Sequence, residues 1–206
     1  MLFALLFVAF GANEPTNIAI GSFVEDFALR DADGRIHRLV DPAQANATVV
    51  VFLGTQCPLA RLYAPRLAGL VVRYKPRGVR FLVIDPHQCE IETDLLAFER
   101  DYKPGVRLLQ DVGQVVTDRL GATRTPEAVV LDRSRRIRYR GRIDDQYTFD
   151  AHRTTPTRKD LEAALDAVLA GKPVEKPEIA AEGCPIDRAK RPPEVGATTW
   201  SDHAAP

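Results

Sequence analysis

Two short apolar runs separated by a helical pattern constrain this chain more than any other feature. The runs cover residues 48–54 and 79–85, and their richness in valine, isoleucine and phenylalanine is typical of strands buried on both faces. Between them, residues 58–74 place apolar side chains at helical spacing. Two buried strands that are joined through a helix pair in parallel. We therefore expect a parallel strand–helix–strand unit at the centre of the fold.

Cys57 lies where the first of these strands becomes the helix. Pro58 follows it and suits the first helical position, because its missing N–H would have no partner there. Unpaired backbone N–H groups and the positive end of the helix dipole favour a thiolate at this place, and can lower a cysteine pKa from about 8.5 to roughly 3.5–7.5. We expect Cys57 to be a nucleophile. The alternative is a buried cysteine that packs as a small apolar residue.

The remaining pattern completes an α/β fold. A hairpin is expected over residues 24–29 and 36–40, because Asp33-Gly34 between extended segments is a turn signal. Further helices are predicted at 91–102, 113–120 and 157–170, and further strands at 106–110, 127–132 and 136–143, the last two of them antiparallel. The order predicts a thioredoxin-like three-layer fold, with a mixed central sheet, helices on both faces and an N-terminal β-hairpin extension.

The chain divides into three expected regions. Residues 1–11 are predicted to be a signal peptide, because the apolar run from Met1 to Phe10 is too short to span a bilayer but fits the core of a secretory signal. Residues 18–172 form the folded domain. Residues 173–206 are rich in proline and charge, so we expect an extended tail. The signal predicts an exported protein of the periplasm or cell envelope of a bacterium.

Charge and composition exclude several functions. The chain has 28 Lys+Arg and 28 Asp+Glu, so no nucleic-acid partner is expected. The arginines within 133–142 alternate with Ile137 and Tyr139, which is typical of a half-exposed strand. We expect Asp144, Asp145 and the acidic residues near 90–94 to be solvated and to pair with nearby arginines. No C-x-x-C-H motif is present, so covalent haem is not expected, and no cofactor is predicted.

Several segments together resemble a known family. The segments are 21–34 (G-S-x-V-x-D-F-x-L-x-D-x-x-G), 52–58 (F-L-G-T-Q-C-P), 125–126 (T-P), 139–145 (Y-R-G-R-I-D-D) and 183–186 (G-C-P-I). They resemble the alkyl hydroperoxide reductase/thiol-specific antioxidant branch of thioredoxin-like proteins, in a bacterial secreted redoxin-domain subfamily, over roughly residues 18 to 186. The resemblance implies an antioxidant or oxidoreductase activity on a small-molecule peroxide or on a protein disulfide, with a protein thiol as reductant. It also implies that Thr125-Pro126 is a cis-proline loop facing Cys57.

The cysteine pattern departs from both common arrangements of that superfamily. Position 60 is alanine, so the second cysteine of C-x-x-C is missing, and Thr55 stands two rather than three residues before Cys57. A resolving thiol must come from elsewhere. The resemblance of Gly183-Cys184 to the subfamily favours Cys184. Cys89 is the alternative, since it follows a strand whose carboxyl end lies at the same sheet edge. A thiol of another molecule and no resolving partner at all are the remaining choices.

The other site residues follow from their position around Cys57. Thr55 and Gln56 are expected to line the approach to the thiol. Arg124, Thr125 and Pro126 are expected to hold the substrate through backbone contacts and positive charge.

Two further interpretations stay open. Histidine and thiolates suit copper, so Cys57, His87 and Cys89 could form a copper site in a non-catalytic binding module of the same fold. Residues 198–206 resemble the lead-in to a haem-binding cytochrome c-type domain, which predicts such a domain or protein as a partner.

Overall fold

The computed structural model describes residues 18–40, 44–148 and 152–188. The predicted signal peptide and the predicted cytochrome c lead-in both lie outside these residues. The helices and strands of the described residues are, in chain order, β1 (Ala28–Asp31), β2 (Ile36–Arg38), β3 (Ala47–Phe52), α1 (Pro58–Tyr74), β4 (Val79–Asp85), α2 (Glu92–Tyr102), β5 (Leu108–Gln110), α3 (Val115–Leu120), β6 (Arg124–Thr125), β7 (Glu127–Asp132), β8 (Ile137–Gly141), α4 (Asp160–Leu169), β9 (Glu178–Ile179) and β10 (Cys184–Pro185).

The central sheet has eight strands in the order β2-β1-β5-β4-β3-β7-β8-β9. Its core is the expected unit, because β3 and β4 pair in parallel from Ala47 opposite Val79 to Phe52 opposite Ile84. On the other side of β3, β7 runs antiparallel and β8 follows it antiparallel. The mixed sheet and its helices confirm the predicted thioredoxin-like α/β fold.

Both faces of the sheet are covered, which explains the near-continuous apolar character of β3. Val49 and Val51 face one core with side chains from α1, α2 and α4, whereas Val50 and Phe52 face a second core with side chains from α3 and the N-terminal segment. All four side chains are fully buried. The described residues include no helix that is both long and apolar enough to cross a membrane.

The helix bounds agree with the sequence pattern to within two residues, except at the start of the last helix. Helix α1 begins at Pro58 and ends at Tyr74, as the periodicity predicts. Helix α4 was expected from residue 157 but begins at Asp160. The difference has a tertiary cause: a carboxylate oxygen of Asp145 accepts hydrogen bonds from the backbone N–H groups of Thr157 and Arg158, each at 2.8 Å, and holds them outside the helix.

Two very short strands lie beyond residue 172. Strand β9 pairs in parallel with β8 at the edge of the central sheet. Strand β10 pairs antiparallel with β6 and forms a separate two-stranded sheet. The segment that contains β10 brings Cys184 back to the end of β3.

Candidate thiol active site

Cys57 lies beneath the surface at the junction of β3 and α1. Its backbone is extended (φ −74°, ψ 120°) and Pro58 is the first residue of the helix, as expected. The side chain is only 2 % exposed. The Cys57 thiol donates a hydrogen bond of 3.0 Å to the carbonyl oxygen of Thr125, and the Thr125–Pro126 peptide bond is cis. The nucleophile candidate is therefore in direct contact with the loop that precedes β7.

The C-terminal segment holds Cys184 against the same loop. Cys184 stands opposite Thr125 in the β10–β6 pair, and the backbone N–H of Ile186 donates to the carbonyl oxygen of Thr123 at 2.9 Å. The Ile186 side chain is 6 % exposed and packs into the second core. At Gly183 (φ +156°) an added Cβ would lie 2.0 Å from the Thr125 carbonyl oxygen, so only glycine allows this approach. The segment is anchored on both sides of Cys184.

The two thiols shift each other's pKa in opposite directions. Burial by itself would raise the pKa of Cys57, but the Cys184 thiol and the backbone N–H groups of Ala60 and Cys184, all close to the Cys57 sulfur, bring it below the ordinary value. Burial, together with the closeness of the Cys57 sulfur and its negative charge, raises the pKa of Cys184 to about 11. Cys57 is thus the thiol favoured as thiolate, and Cys184 the one that keeps its proton.

Thr55 and Gln56 lie beside Cys57 but face different surroundings. Thr55 is buried, and its hydroxyl and its backbone N–H both donate to Oε2 of Glu90, the latter at 3.2 Å. Gln56 is exposed, and the guanidinium of Arg61 donates to its side-chain oxygen at 3.4 Å. Arg61 also donates to the carbonyl oxygen of Thr55 at 3.0 Å. Thr55 therefore fixes the backbone before Cys57, whereas Gln56 is accessible.

An open cavity of about 590 Å³ lies over the thiols. Its lining includes Gln56, Cys57, Cys89 and Cys184. Cys89 is exposed, and none of the three cysteines forms a disulfide. The structure thus brings all three cysteines to one cavity, and the thiols of Cys57 and Cys184 lie close enough to shift each other's pKa.

Arg124 binds the C-terminal segment that contains Cys184. Its guanidinium donates to the carbonyl oxygen of Gly183 at 2.8 Å, and its positive charge lowers the pKa of Cys184. Its backbone N–H and that of Thr123 donate to a carboxylate oxygen of the buried Glu127, which holds the loop in place.

The residues proposed as copper ligands do not form a cluster. Among the described residues, one group of three histidine, cysteine or acidic side chains lies close enough to share an ion, and it consists of Asp85, His87 and Glu90. The copper site of Cys57, His87 and Cys89 expected as an alternative is not assembled.

The expectation of solvated acidic residues is wrong for three of them. Glu90, Asp144 and Asp145 are at most 6 % exposed. Asp144 does pair with an arginine, Arg66, at 2.7 Å, and it also accepts a hydrogen bond of 2.8 Å from the hydroxyl of Tyr63. The contact of Glu90 with Thr55 was not predicted from the sequence. The signal that could have indicated it is the position of Glu90 just after β4, at the sheet edge where β3 also ends.

Comparison with known proteins finds relatives that are named thiol-disulfide oxidoreductases. The chain is 31 % identical over 84 residues to the thiol-disulfide oxidoreductase ResA of Geobacillus thermodenitrificans (strain NG80-2), a match that covers 41 % of this chain and 48 % of the relative. ResA of Geobacillus kaustophilus (strain HTA426) matches with the same identity and coverage. The chain thus spans about half the length of the curated relatives it matches.

Solved structures extend the likeness to most of the chain. The hypothetical protein SMc02350 from Sinorhizobium meliloti 1021 superposes with a TM-score of 0.77 at 31 % identity, over 84 % of this chain and 97 % of that one. An uncharacterized conserved protein from Geobacillus kaustophilus gives a TM-score of 0.76 at 27 % identity, over 86 % and 96 %. The model of the AhpC/TSA family matches residues 20–140, which is more than half of the chain. The chain is therefore a thioredoxin-like redoxin-domain protein and belongs to the AhpC/TSA family.

Proposed function

We propose that this protein is a thiol-disulfide oxidoreductase in which Cys57 is the nucleophile and Cys184 the resolving thiol. The observation that carries the proposal is that Thr125 places both thiols together: its carbonyl oxygen accepts the Cys57 thiol at 3.0 Å, and Cys184 stands opposite it in the β10–β6 pair. The pKa values of the two thiols move apart at this contact. A lowered pKa suits the attacking thiol, and a raised pKa keeps the second thiol from competing with it.

The reaction follows from this asymmetry. The Cys57 thiolate attacks one sulfur of a substrate disulfide, the substrate S–S bond breaks, and the other substrate sulfur leaves as a thiolate that takes up a proton. Cys184 then loses its proton and attacks the Cys57 sulfur of the mixed disulfide, which releases the second substrate thiol. The substrate gains two electrons, and the protein ends with a Cys57–Cys184 disulfide. A dithiol reductant restores the two thiols.

The raised pKa of Cys184 does not prevent the second step. Apart from burial, the rise comes from the nearby Cys57 sulfur and its negative charge, which disappears once the Cys57 sulfur is covalently bound to substrate. The positive charge of Arg124 remains and lowers the pKa of Cys184. The resolving thiol therefore becomes easier to ionise at the moment when it is needed.

We favour a protein disulfide over a peroxide as substrate. The curated relatives are named thiol-disulfide oxidoreductases. Arg124, whose positive charge was expected to act on the substrate, directs its guanidinium to the Gly183 carbonyl oxygen and acts on Cys184. Exposed Gln56 lines the approach to the cavity, and Thr55 and the loop of Thr125 and Pro126 position Cys57 and its target sulfur.

Mass spectrometry of the non-reduced protein tests the proposal. The full chain is oxidised with a small disulfide, and the linked peptides are mapped in the wild type and in the Cys57→Ser, Cys184→Ser and Cys89→Ser variants. We expect a Cys57–Cys184 linkage in the wild type and in Cys89→Ser, a trapped mixed disulfide at Cys57 in Cys184→Ser, and no trapped adduct at residue 57 in Cys57→Ser. A Cys57–Cys89 linkage would contradict the assignment of the resolving thiol. Faster oxidation of Cys57 by hydrogen peroxide than by the disulfide would favour the antioxidant, peroxide-reducing function.

We also propose a location, domain limits and a partner for this protein. An exported protein of the bacterial periplasm or envelope is supported by the apolar run at residues 1–10, and an oxidising compartment is where disulfide substrates persist. The redoxin domain over 18–172, the tail over 173–206 and a cytochrome c-type partner stay predictions, which detection of the protein in periplasmic extracts and a pull-down of the full chain would test.

A further inference from the structure

A second cluster of reactive side chains lies at the end of β4, outside the thiol pair. Asp85 is the last residue of the strand, and His87 and Glu90 follow in the next loop. One ligand atom of each side chain lies within 4.8 Å of the others. Asp85 is fully buried and Glu90 is 6 % exposed.

The two carboxyl groups are buried together with no cation beside them. No described lysine or arginine forms an ion pair with either, although ion pairs are frequent elsewhere in the fold. One oxygen of Asp85 accepts the backbone N–H of His87 at 2.9 Å, but the other, Oδ2, is buried without a hydrogen-bond partner among the described residues. Two carboxylates in such contact cannot both stay ionised in a buried site unless a positive charge joins them.

His87 adds an imidazole nitrogen to the two carboxyl groups, so three possible ligand atoms lie together. Its ring makes no hydrogen bond to the described residues, and it packs so closely on the end of β3 that a Cβ added to Gly54 would lie 2.4 Å from Nε2. A proton shared by Asp85 and Glu90 would balance their charge but would leave the imidazole without a partner. A metal ion would use the orphaned carboxylate oxygen, the second carboxylate and the ring nitrogen together.

We propose that Asp85, His87 and Glu90 bind a divalent transition-metal ion, with zinc as the best match. Zinc takes imidazole nitrogen and carboxylate oxygen at about 2.0–2.2 Å, so its ligand atoms stand at most about 4.4 Å apart. The three ligand atoms here all lie within 4.8 Å of one another, so a small movement at most would bring them around one ion. The imidazole disfavours calcium and magnesium, which prefer all-oxygen sites, and the lack of a thiolate disfavours monovalent copper.

The metal site adjoins the thiol site without sharing residues with it. His87 and Glu90 line the same cavity as Cys57, which leaves the fourth coordination position to water or to a substrate group from that side. Glu90 also holds the hydroxyl and the backbone N–H of Thr55. Metal binding is therefore expected to order the segment that leads to Cys57, and it does not depend on the thiol chemistry proposed above.

Calorimetric titration of the reduced, chelator-treated full chain with zinc tests the site. We expect one equivalent of zinc to bind, and His87→Ala and Glu90→Gln to weaken binding at least about tenfold. Glu92→Gln, which changes an exposed acidic residue of the neighbouring helix, and Cys89→Ser are the matched controls and should bind zinc as the wild type does. His87→Ala is the decisive variant, because the ring is only partly buried, and circular dichroism checks that both ligand variants are folded.

Cobalt separates nitrogen and oxygen ligands from sulfur ligands. The cobalt complex of the wild type should lack the thiolate-to-metal charge-transfer absorption in the near ultraviolet. Three outcomes would overturn the proposal: no zinc binding by the wild type, which would mean that the acidic pair holds only a proton; unchanged affinity in His87→Ala; or loss of binding in Cys57→Ser or Cys89→Ser. None of these measurements requires turnover, so failure of the thiol reaction would leave the metal site standing.

Discussion

Cys184 stands directly opposite Thr125 in an antiparallel pair of strands, and the carbonyl oxygen of the same threonine accepts the hydrogen bond of the Cys57 thiol at 3.0 Å. A single residue of the loop before β7 thus positions both thiols. The second thiol that a C-x-x-C motif would place one helical turn away comes instead from a strand near the end of the described chain.

Replacing Cys184 by alanine should raise the pKa of Cys57. The substitution removes the nearby thiol that favours the Cys57 thiolate, whereas burial still opposes ionisation. The thiolate fraction at neutral pH should fall, so iodoacetamide should alkylate Cys57 more slowly. The midpoint of the pH dependence of the alkylation rate should move to higher pH. Cys89→Ala is the control and should leave the profile where it is. Superimposable pH profiles of Cys184→Ala and the wild type would show that the two thiols do not interact.

Replacing Gly183 by alanine should separate the two thiols. The new Cβ would meet the Thr125 carbonyl oxygen at 2.0 Å, at a backbone conformation (φ +156°) that costs other residues roughly 1–3 kcal/mol. Strand β10 should leave β6, and the yield of the Cys57–Cys184 disulfide should drop severalfold in non-reducing peptide maps.

Gly69→Ala is the matched control for that substitution. Gly69 lies within α1, where an added Cβ meets nothing within 4 Å. Alanine there should stabilise the protein by roughly 0.5–1 kcal/mol in urea unfolding and leave the disulfide yield unchanged. A Gly183→Ala protein that forms the disulfide as readily as Gly69→Ala would contradict the role of the close approach.

Arg124→Met should slow the resolving step. The positive charge of Arg124 lowers the pKa of Cys184, and its guanidinium holds the Gly183 carbonyl oxygen at 2.8 Å. Without it the mixed disulfide at Cys57 should accumulate during stopped-flow oxidation, while the initial attack by Cys57 changes little. Arg124→Lys keeps the charge and should recover part of the rate. Equal lifetimes of the mixed disulfide in Arg124→Met and the wild type would exclude this role.

Asp145→Asn should destabilise the fold above about pH 4. Although burial opposes ionisation, hydrogen bonds from Thr157 and Arg158 and the charge of Arg153 lower the Asp145 pKa to about 2. Since the folded pKa lies below the ordinary value of 3.8, this stabilisation is present above that value and is lost as the pH falls through the folded pKa.

The cost of that substitution should be about 2 kcal/mol near neutral pH, measured by urea unfolding, and should shrink towards pH 2. Asp101→Asn removes an exposed ion pair with Arg100 and should leave the free energy of unfolding nearly unchanged at both pH values. A cost for Asp145→Asn that is the same at pH 2.5 and pH 7 would refute the assigned pKa shift.

The sequence pattern predicted the bounds of a helix or strand correctly where several local signals agreed. Helix α1 and strand β4 have their predicted bounds because Pro58 marks the helix start, and because Gly78, in a left-handed conformation (φ +79°), separates the short turn after the helix from the strand. The placement of Cys57 at the strand–helix junction follows from the same signals. They are encoded within a few residues, so no long-range contact is needed to read them.

Strands β9 and β10 could not be predicted in the same way. Each has two residues, lies in a segment rich in proline and charge, and forms only because an edge of β8 or β6 is free to pair with it. The start of α4 at Asp160 has a similar origin, because a carboxylate oxygen of Asp145 accepts hydrogen bonds from the backbone N–H groups of Thr157 and Arg158, which follow it by 12 and 13 residues.

By itself, the sequence determined the α/β fold, the strand–helix junction and the thiol that occupies it, since hydrophobic periodicity and the proline after Cys57 are local properties. The tertiary structure alone decided which groups surround that thiol. It brought Cys184 to Cys57 across more than a hundred residues, and it buried Glu90 against Thr55 and Asp85 although its two neighbours in sequence are exposed. Burial and hydrogen bonding set the pKa values and the charge balance of these groups, and both arise only when distant segments pack together.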